Sequence, residues 1–177
     1  MAAKRWSIEP ACPLAGCGGR QGSGAALGIS GTASWARVGV VLAAVLSLGT
    51  LTFLSLSLRP AIPALMSTIG VLPIVLLFSV TNALGEEISY RIALLAPVAH
   101  VAPPAHVMLM SAVYFGLAHY NGIPSGVIGV TMAGFLGWLA CRSVLDTNGI
   151  GWAFILHVVQ DVWIFWFMAA IFSLHAR

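Results

Sequence analysis

Charge is what this chain has least of. Only 7% of its 177 residues are Asp, Glu, Lys or Arg, against about 25% in a typical soluble domain. A surface so poor in charge cannot solvate a globular protein in water, and the hydrophobic fraction of 59% with mean hydropathy +0.97 points the same way. Cysteine is also sparse. Cys12, Cys17 and Cys141 lack zinc-finger spacing with histidines and imply no disulfide framework. The net charge of +3 comes from scattered groups and not from a basic patch, which excludes a nucleic-acid footprint. Gly22-Ser-Gly24-Ala-Ala-Leu-Gly28 has a loose look of a dinucleotide loop, but its spacing is off by one and no strand precedes it.

What the chain has in abundance is long apolar runs. Residues 1–35 carry seven glycines without apolar periodicity and read as a disordered Gly-rich cytoplasmic tail, or as sequence ahead of the true start. Five spans are expected after it, at about Ala36–Leu58, Val71–Pro97, Ala105–Tyr120, Ser125–Val144 and Ile150–Phe172. A helix rises ~1.5 Å per residue and must cross ~30 Å of hydrocarbon. Most of these runs meet that length. The first could also serve as a signal sequence, cleaved near Pro60-Ala61-Ile62-Pro63-Ala64, although it is long for that role. Residues 59–70 read as a connector. The fold class is therefore all-α: one polytopic transmembrane helical bundle over residues 36–177. With Lys4, Arg5, Arg20, Arg37 and Arg142 on one side and Arg59 and Arg177 on the other, the N terminus is expected inside. In the fourth span Ser125, Gly129, Ala133 and Gly137 recur every four residues, a small-residue stripe for close helix approach.

The few charges are placed where they cost most. Three of the five acidic residues, Glu86, Glu87 and Asp161, lie inside apolar spans, where a carboxylate costs at least ~2.5–3.5 kcal/mol on insertion scales. Glu87 and Arg91 are i,i+4 and share a helix face, whereas Glu86 points ~100° away. One helix can thus hold a carboxylate fixed by a cation beside a second that is free to act as a general base. Tyr90, i,i+4 from Glu86, is a candidate hydrogen-bond partner for it. His119 ends the third span one turn after Phe115. His157 lies in the fifth, one turn before Asp161. A Glu and two histidines from three helices can converge on a water. The bland alternative is that the ionisable groups only cement the bundle.

Glu86-Glu87-Ile-Ser-Tyr-Arg91 resembles an EExxxR motif, Phe115-Gly-Leu-Ala-His119 an FxxxH motif, and His157-Val-Val-Gln-Asp161 an HxxxN motif. In this order the three resemble the CPBP (ABI) family of CAAX prenyl endopeptidases and bacteriocin-processing enzymes, over about residues 70–170. The resemblance implies an intramembrane glutamic endopeptidase in a multi-pass integral membrane protein, expected in a bacterial inner membrane. Its substrate would be a membrane-anchored peptide or protein, of prenylated CAAX or leader-peptide type. It implies that Glu86 and His119 activate water, that Glu87 and Arg91 hold the site together with Phe115 in support, and that His157 and position 161 stabilise the oxyanion. No cofactor is implied. A zinc-dependent membrane protease is an alternative, since Glu and two His can hold an open zinc site. No HExxH is present to favour it.

Two departures stand out. Asp161 occupies a position where the family usually has Asn, so it either carries a proton or orients His157. The chain also lacks helices that the family's prenyl endopeptidases have, so a second copy or a partner helix is expected on the open flank. Both departures suit a further alternative, a catalytically inactive membrane scaffold or bacteriocin self-immunity protein of the same fold. A proton-coupled carrier is the remaining class, and it finds no inverted repeat here.

Overall fold

In a bilayer every backbone polar group needs a partner within the chain, so apolar runs of this length become helices. A computed structural model describes residues 34–59 and 62–175. The Gly-rich segment and Cys12 and Cys17 lie outside the described residues. The chain forms α1 (Trp35–Leu58), a short α2 (Ile62–Ser67) with a 3₁₀ turn at Ile69–Val71, and α3 (Leu72–Glu87). A π-helical stretch, Ile88–Leu95, carries α3 into α4 (Ala96–Ala99). Then come α5 (Pro104–Ala118), α6 (Gly126–Thr147) and α7 (Gly151–His175). The protein is an all-α polytopic bundle. The expected connector at 59–70 is helical in large part, and the second span continues through Pro97 to Ala99 as one 31-residue apolar unit starting at Ile69. Pro97 falls in the first turn of α4, just after the π-helical stretch.

Four helical segments are long and apolar enough to cross a membrane, and the expected fifth is not. At 15 residues, α5 reaches only ~22 Å. It stops at the level of Glu86, and residues 119–125 turn back from there into α6. Irregular backbone is tolerated at such depth only where it is buried in protein or lines a cavity, and Asn121, Gly122, Ile123 and Pro124 do line one.

Burial is inverted relative to a soluble protein. Val40, Val45, Leu48, Ile74, Leu77 and Phe78 face outward, whereas Ser79, Glu87, Arg91, Ser111, His157, Gln160 and Asp161 are buried. Outward hydroxyls satisfy themselves on the preceding turn, as Thr52 does on the Leu48 carbonyl and Thr81 on that of Leu77. Helix α7 is central and packs against α1, α2, α3 and α6. Polar ties fix its neighbours. Thr50 of α1 donates to Gln160 at 2.5 Å, and the Trp166 indole donates to Thr68 at 3.2 Å. At the far end, Trp35 of α1 and Arg142 of α6 both donate to Asp146.

The most extensive helix contact joins α5 and α6. The Ser111 hydroxyl donates to the Gly137 carbonyl at 2.9 Å. A Cβ on Gly137 would stand 2.9 Å from the Phe115 Cβ, and one on Gly116 would stand 2.6 Å from the Val130 carbonyl oxygen. The seam differs from the expected stripe. Gly137 belongs to it, but Gly134 takes the place of Ala133, which faces the cavity, and Ser125 is the residue before the helix. Four residues turn ~400°, so a strict i+4 row drifts ~40° per step and leaves the contact face.

Gly137→Ala is expected to cost about 1–3 kcal/mol by overpacking. Gly49→Ala, where an added Cβ meets nothing within 4 Å, is expected to be neutral or to gain about 0.5–1 kcal/mol. Thermal unfolding in detergent checks the pair, and equal midpoints would refute the close seam.

Candidate active site

Glu87 is the most buried ionisable group of the bundle, with 0% exposure. Its two oxygens serve two helical segments. Oε2 lies 3.1 Å from Arg91 Nε, and Oε1 accepts from His157 Nδ1 at 2.9 Å. The Arg91 guanidinium also sits 4.3 Å above the ring of Phe115, a cation–π contact strengthened by desolvation. Glu87 thereby ties the end of α3 to α7, and Arg91 ties the π-helical stretch to α5. The second role of Glu87, as the anchor of His157, cannot be read from the sequence. It crosses 70 positions of chain and leaves no local spacing to read.

Glu86 turns away from this knot, as one residue of helical rotation dictates, and its side chain keeps 27% exposure. Its Oε2 lies 3.6 Å from Nε2 of His119 and 3.6 Å from Nε2 of His157. Glu86, His119 and His157 are therefore brought together from α3, the end of α5 and α7. His119 is the residue on which α5 ends, and its Nδ1 lies 2.7 Å from the Phe115 carbonyl. A carbonyl can only accept, so Nδ1 carries the proton. The same holds for His157, whose Nδ1 faces a carboxylate. In each neutral ring the bare Nε2 then points at Glu86.

Phe115, 1% exposed, is the floor on which these groups rest. Its ring lies 4.5 Å from that of His119 and meets those of His157 and Tyr90 edge-on at 5.4 and 5.2 Å. Tyr90 is thus a packing partner of Phe115 and not the hydrogen-bond partner of Glu86. The π-helical bonding that starts at Ile88 puts more residues into each turn, and the Tyr90 ring lies against Phe115 of α5.

Asp161 of α7 also reaches the site. Glu87 holds His157 through the opposite ring nitrogen, leaving Asp161 Oδ1 3.7 Å from Nε2. Its other oxygen accepts from Asn82 Nδ2 at 3.0 Å, and the same nitrogen donates to Glu86 Oε1 at 3.2 Å. Motif spacing does not single out Asn82. The available signal is an amide inside an apolar span, four residues before Glu86.

These groups stand at the polar end of a cavity of about 650 Å³, whose other walls include Phe53, Leu136, Phe165 and Met168. Among the described residues, no set of three or more His, Cys, Asp or Glu side chains is spaced to hold a metal ion. The arrangement offers a carboxylate flanked by two imidazole nitrogens, in contact with a largely apolar chamber.

Comparison with curated proteins and with solved structures gives no match. One family model does match, that of the type II CAAX prenyl endopeptidase Rce1-like proteins, over residues 68–173. The matched stretch is more than half of the chain and contains Asn82, Glu86, Glu87, Arg91, Phe115, His119, His157 and Asp161. The chain, an integral membrane protein, belongs to this type II CAAX prenyl endopeptidase Rce1-like family, a family of membrane proteases.

Proposed function

We propose that this protein is an intramembrane endopeptidase that hydrolyses a peptide bond of a membrane-anchored substrate with a water activated by Glu86 and His119. The observation that carries this reading is the approach of Glu86 Oε2 to Nε2 of His119 and to Nε2 of His157, at 3.6 Å each. Three acceptors facing one another repel unless a proton donor lies between them. A water about 2.8 Å from each is the simplest such donor. Its two protons are drawn toward Glu86 and a histidine, which leaves its oxygen electron-rich and aimed at the cavity.

The reaction then has a natural division of work. The water oxygen attacks the scissile carbonyl carbon while Glu86 takes up the proton. The carbonyl oxygen becomes an oxyanion. His157, fixed by Glu87, takes the second proton of the water on Nε2 and donates from there to the oxyanion, and such a donor is worth about 2.7–4 kcal/mol. The protons held by Glu86 and His157 pass to the leaving amine, so the products are a carboxylate and an ammonium and no net proton is consumed. The apolar walls fit an extended or lipid-modified segment better than a polar peptide, which supports a CAAX-type prenylated substrate.

Asp161 favours a second reading. A carboxylate beside the oxyanion position opposes the charge that develops there, as suits a scaffold that has kept the fold without the reaction. A zinc-dependent reaction is a third, separated from the first by chelation.

Glu86→Ala is expected to lower kcat by roughly 10²–10⁴-fold, the usual worth of a general base, with the fold intact. Cleavage of a lipidated, membrane-anchored peptide by the purified protein reads this out, and wild-type turnover in the variant would remove Glu86 from the mechanism. Glu87→Ala is expected to act differently. It strands Arg91 and costs about 3–5 kcal/mol of stability, seen as a lowered unfolding midpoint before any kinetics. Asp161→Asn is expected to preserve or raise turnover by exchanging a repelling oxygen for a donor. A variant and parent that are equally inert would favour the scaffold. Prolonged chelation is expected to leave turnover unchanged. Stoichiometric zinc by elemental analysis, lost together with activity, would favour the metal.

A further inference from the structure

Glu86 is an effective base only if its free oxygen is held toward the histidines, and one side chain outside the three motifs holds it. Asn82 lies in α3 one turn before Glu86 and lines the cavity. Its Nδ2 has two hydrogens. One is directed to Glu86 Oε1 at 3.2 Å, and the other to Asp161 Oδ2 on α7 at 3.0 Å. Two carboxylate acceptors fix which way round the amide sits, because a carbonyl oxygen turned toward them would meet only repulsion.

We propose that Asn82 is a positioning residue: its amide clamps Glu86 and Asp161 together, so that Glu86 presents Oε2 to His119 and His157. This rests on the protease reading above. The Glu86 carboxylate could otherwise rotate freely about its last bond and swing toward the wider cavity. With Oε1 captured, the only oxygen left to face the imidazole nitrogens is Oε2, and the rotation is stopped. The clamp also explains how Asp161 is accommodated beside Glu86. The positive end of one amide dipole lies between the two carboxylates, where direct contact would push them apart. Asn82 does not itself meet the scissile bond, since both of its hydrogens are engaged.

The experiment compares Asn82→Ala, the nearly isosteric Asn82→Asp and the amide-retaining Asn82→Gln in the purified full chain. A misplaced base costs up to roughly 100-fold. Asn82→Ala and Asn82→Asp are therefore expected to lose about 10- to 100-fold in kcat with KM within about twofold, because the apolar walls of the chamber, Phe53, Leu136, Phe165 and Met168 among them, are untouched. Asn82→Gln is expected to recover part of the loss, since it keeps the donor on the same helix face. Unchanged kcat in Asn82→Asp, or a fall in unfolding midpoint with kcat intact, overturns the proposal and leaves Asn82 a plain link between α3 and α7. Nitrogen-15 NMR of the histidines gives a readout that does not depend on turnover. Asn82→Ala is expected to move the Nε2 resonances of both His119 and His157, while Nδ1 of His157, bound to Glu87, stays in place. Unmoved Nε2 signals overturn the clamp even in an active protein. Moved signals in a chain that cleaves nothing uphold the clamp and sink the protease reading instead.

Discussion

The structure depends on one buried carboxylate. Glu87 holds a guanidinium with one oxygen and an imidazole with the other, 3.1 and 2.9 Å away and out of reach of solvent. A lone anion at this depth would be untenable, and a pair of ions that merely cancel would be replaceable by packed apolar side chains. What an apolar substitute could not do is fix the ring of His157. By engaging Nδ1, Glu87 decides which nitrogen carries the proton and which faces the cavity. The stability cost of burying the pair therefore has a geometric return, namely an oriented histidine on a helix that is joined to α3 only through space.

That knot stays in place because the rest of the bundle leaves it no slack. Arg91 rests on Phe115, and Phe115 stands where it does because position 137 has no side chain. The α5–α6 seam and the polar site are in this sense one device. Lipid tails give helices no hydrophobic reason to associate, so close packing of small residues and interhelical hydrogen bonds must do it. The same close packing sets the height of Phe115, and through it the positions of His119 and Arg91. The shortness of α5 belongs to the same logic. A helix long enough to cross the bilayer would carry the chain past Glu86, whereas one that ends at Ala118 delivers His119 beside it.

Much of this is legible in the sequence, and the limits have a physical basis. Apolar run length gives the spans, because helix rise and bilayer thickness are fixed quantities. The opposite aims of Glu86 and Glu87 follow from helical rotation. The three motifs name Glu86, Phe115, His119, His157 and Asp161, which meet at the cavity. What spacing cannot supply is any contact between helices, such as the grip of Glu87 on His157 or of Asn82 on Asp161. Nor can it show a change in helical pitch, such as the π-helical stretch from Ile88 to Leu95. The Tyr90–Glu86 pairing that helical counting favours gives way to a contact between Tyr90 and Phe115 of another helix. The shortening of α5 escapes for a similar reason, since Tyr120 and His119 look like the end of a span until the turn through Pro124 is seen to lie inside the bundle.

Two adjacent glutamates in a membrane would be wasteful if both did the same work, and their surroundings differ. Glu87 is fully enclosed and has both oxygens committed. Glu86 is partly open, has one oxygen held by Asn82, and directs the other at two imidazoles. A residue that must accept and release a proton needs a vacant lone pair and access to the reacting group. A residue that must define a position needs neither. Placing the two side by side on one helix lets the rigid member set the frame in which the free one acts, with no loop motion between them to blur the distance. The pair can be separated in function only because a single step along an α-helix turns the side chain by about 100°. That holds if α-helical pitch persists through both glutamates and the widening to π-helical pitch begins only after them, which is where it begins here, at Ile88.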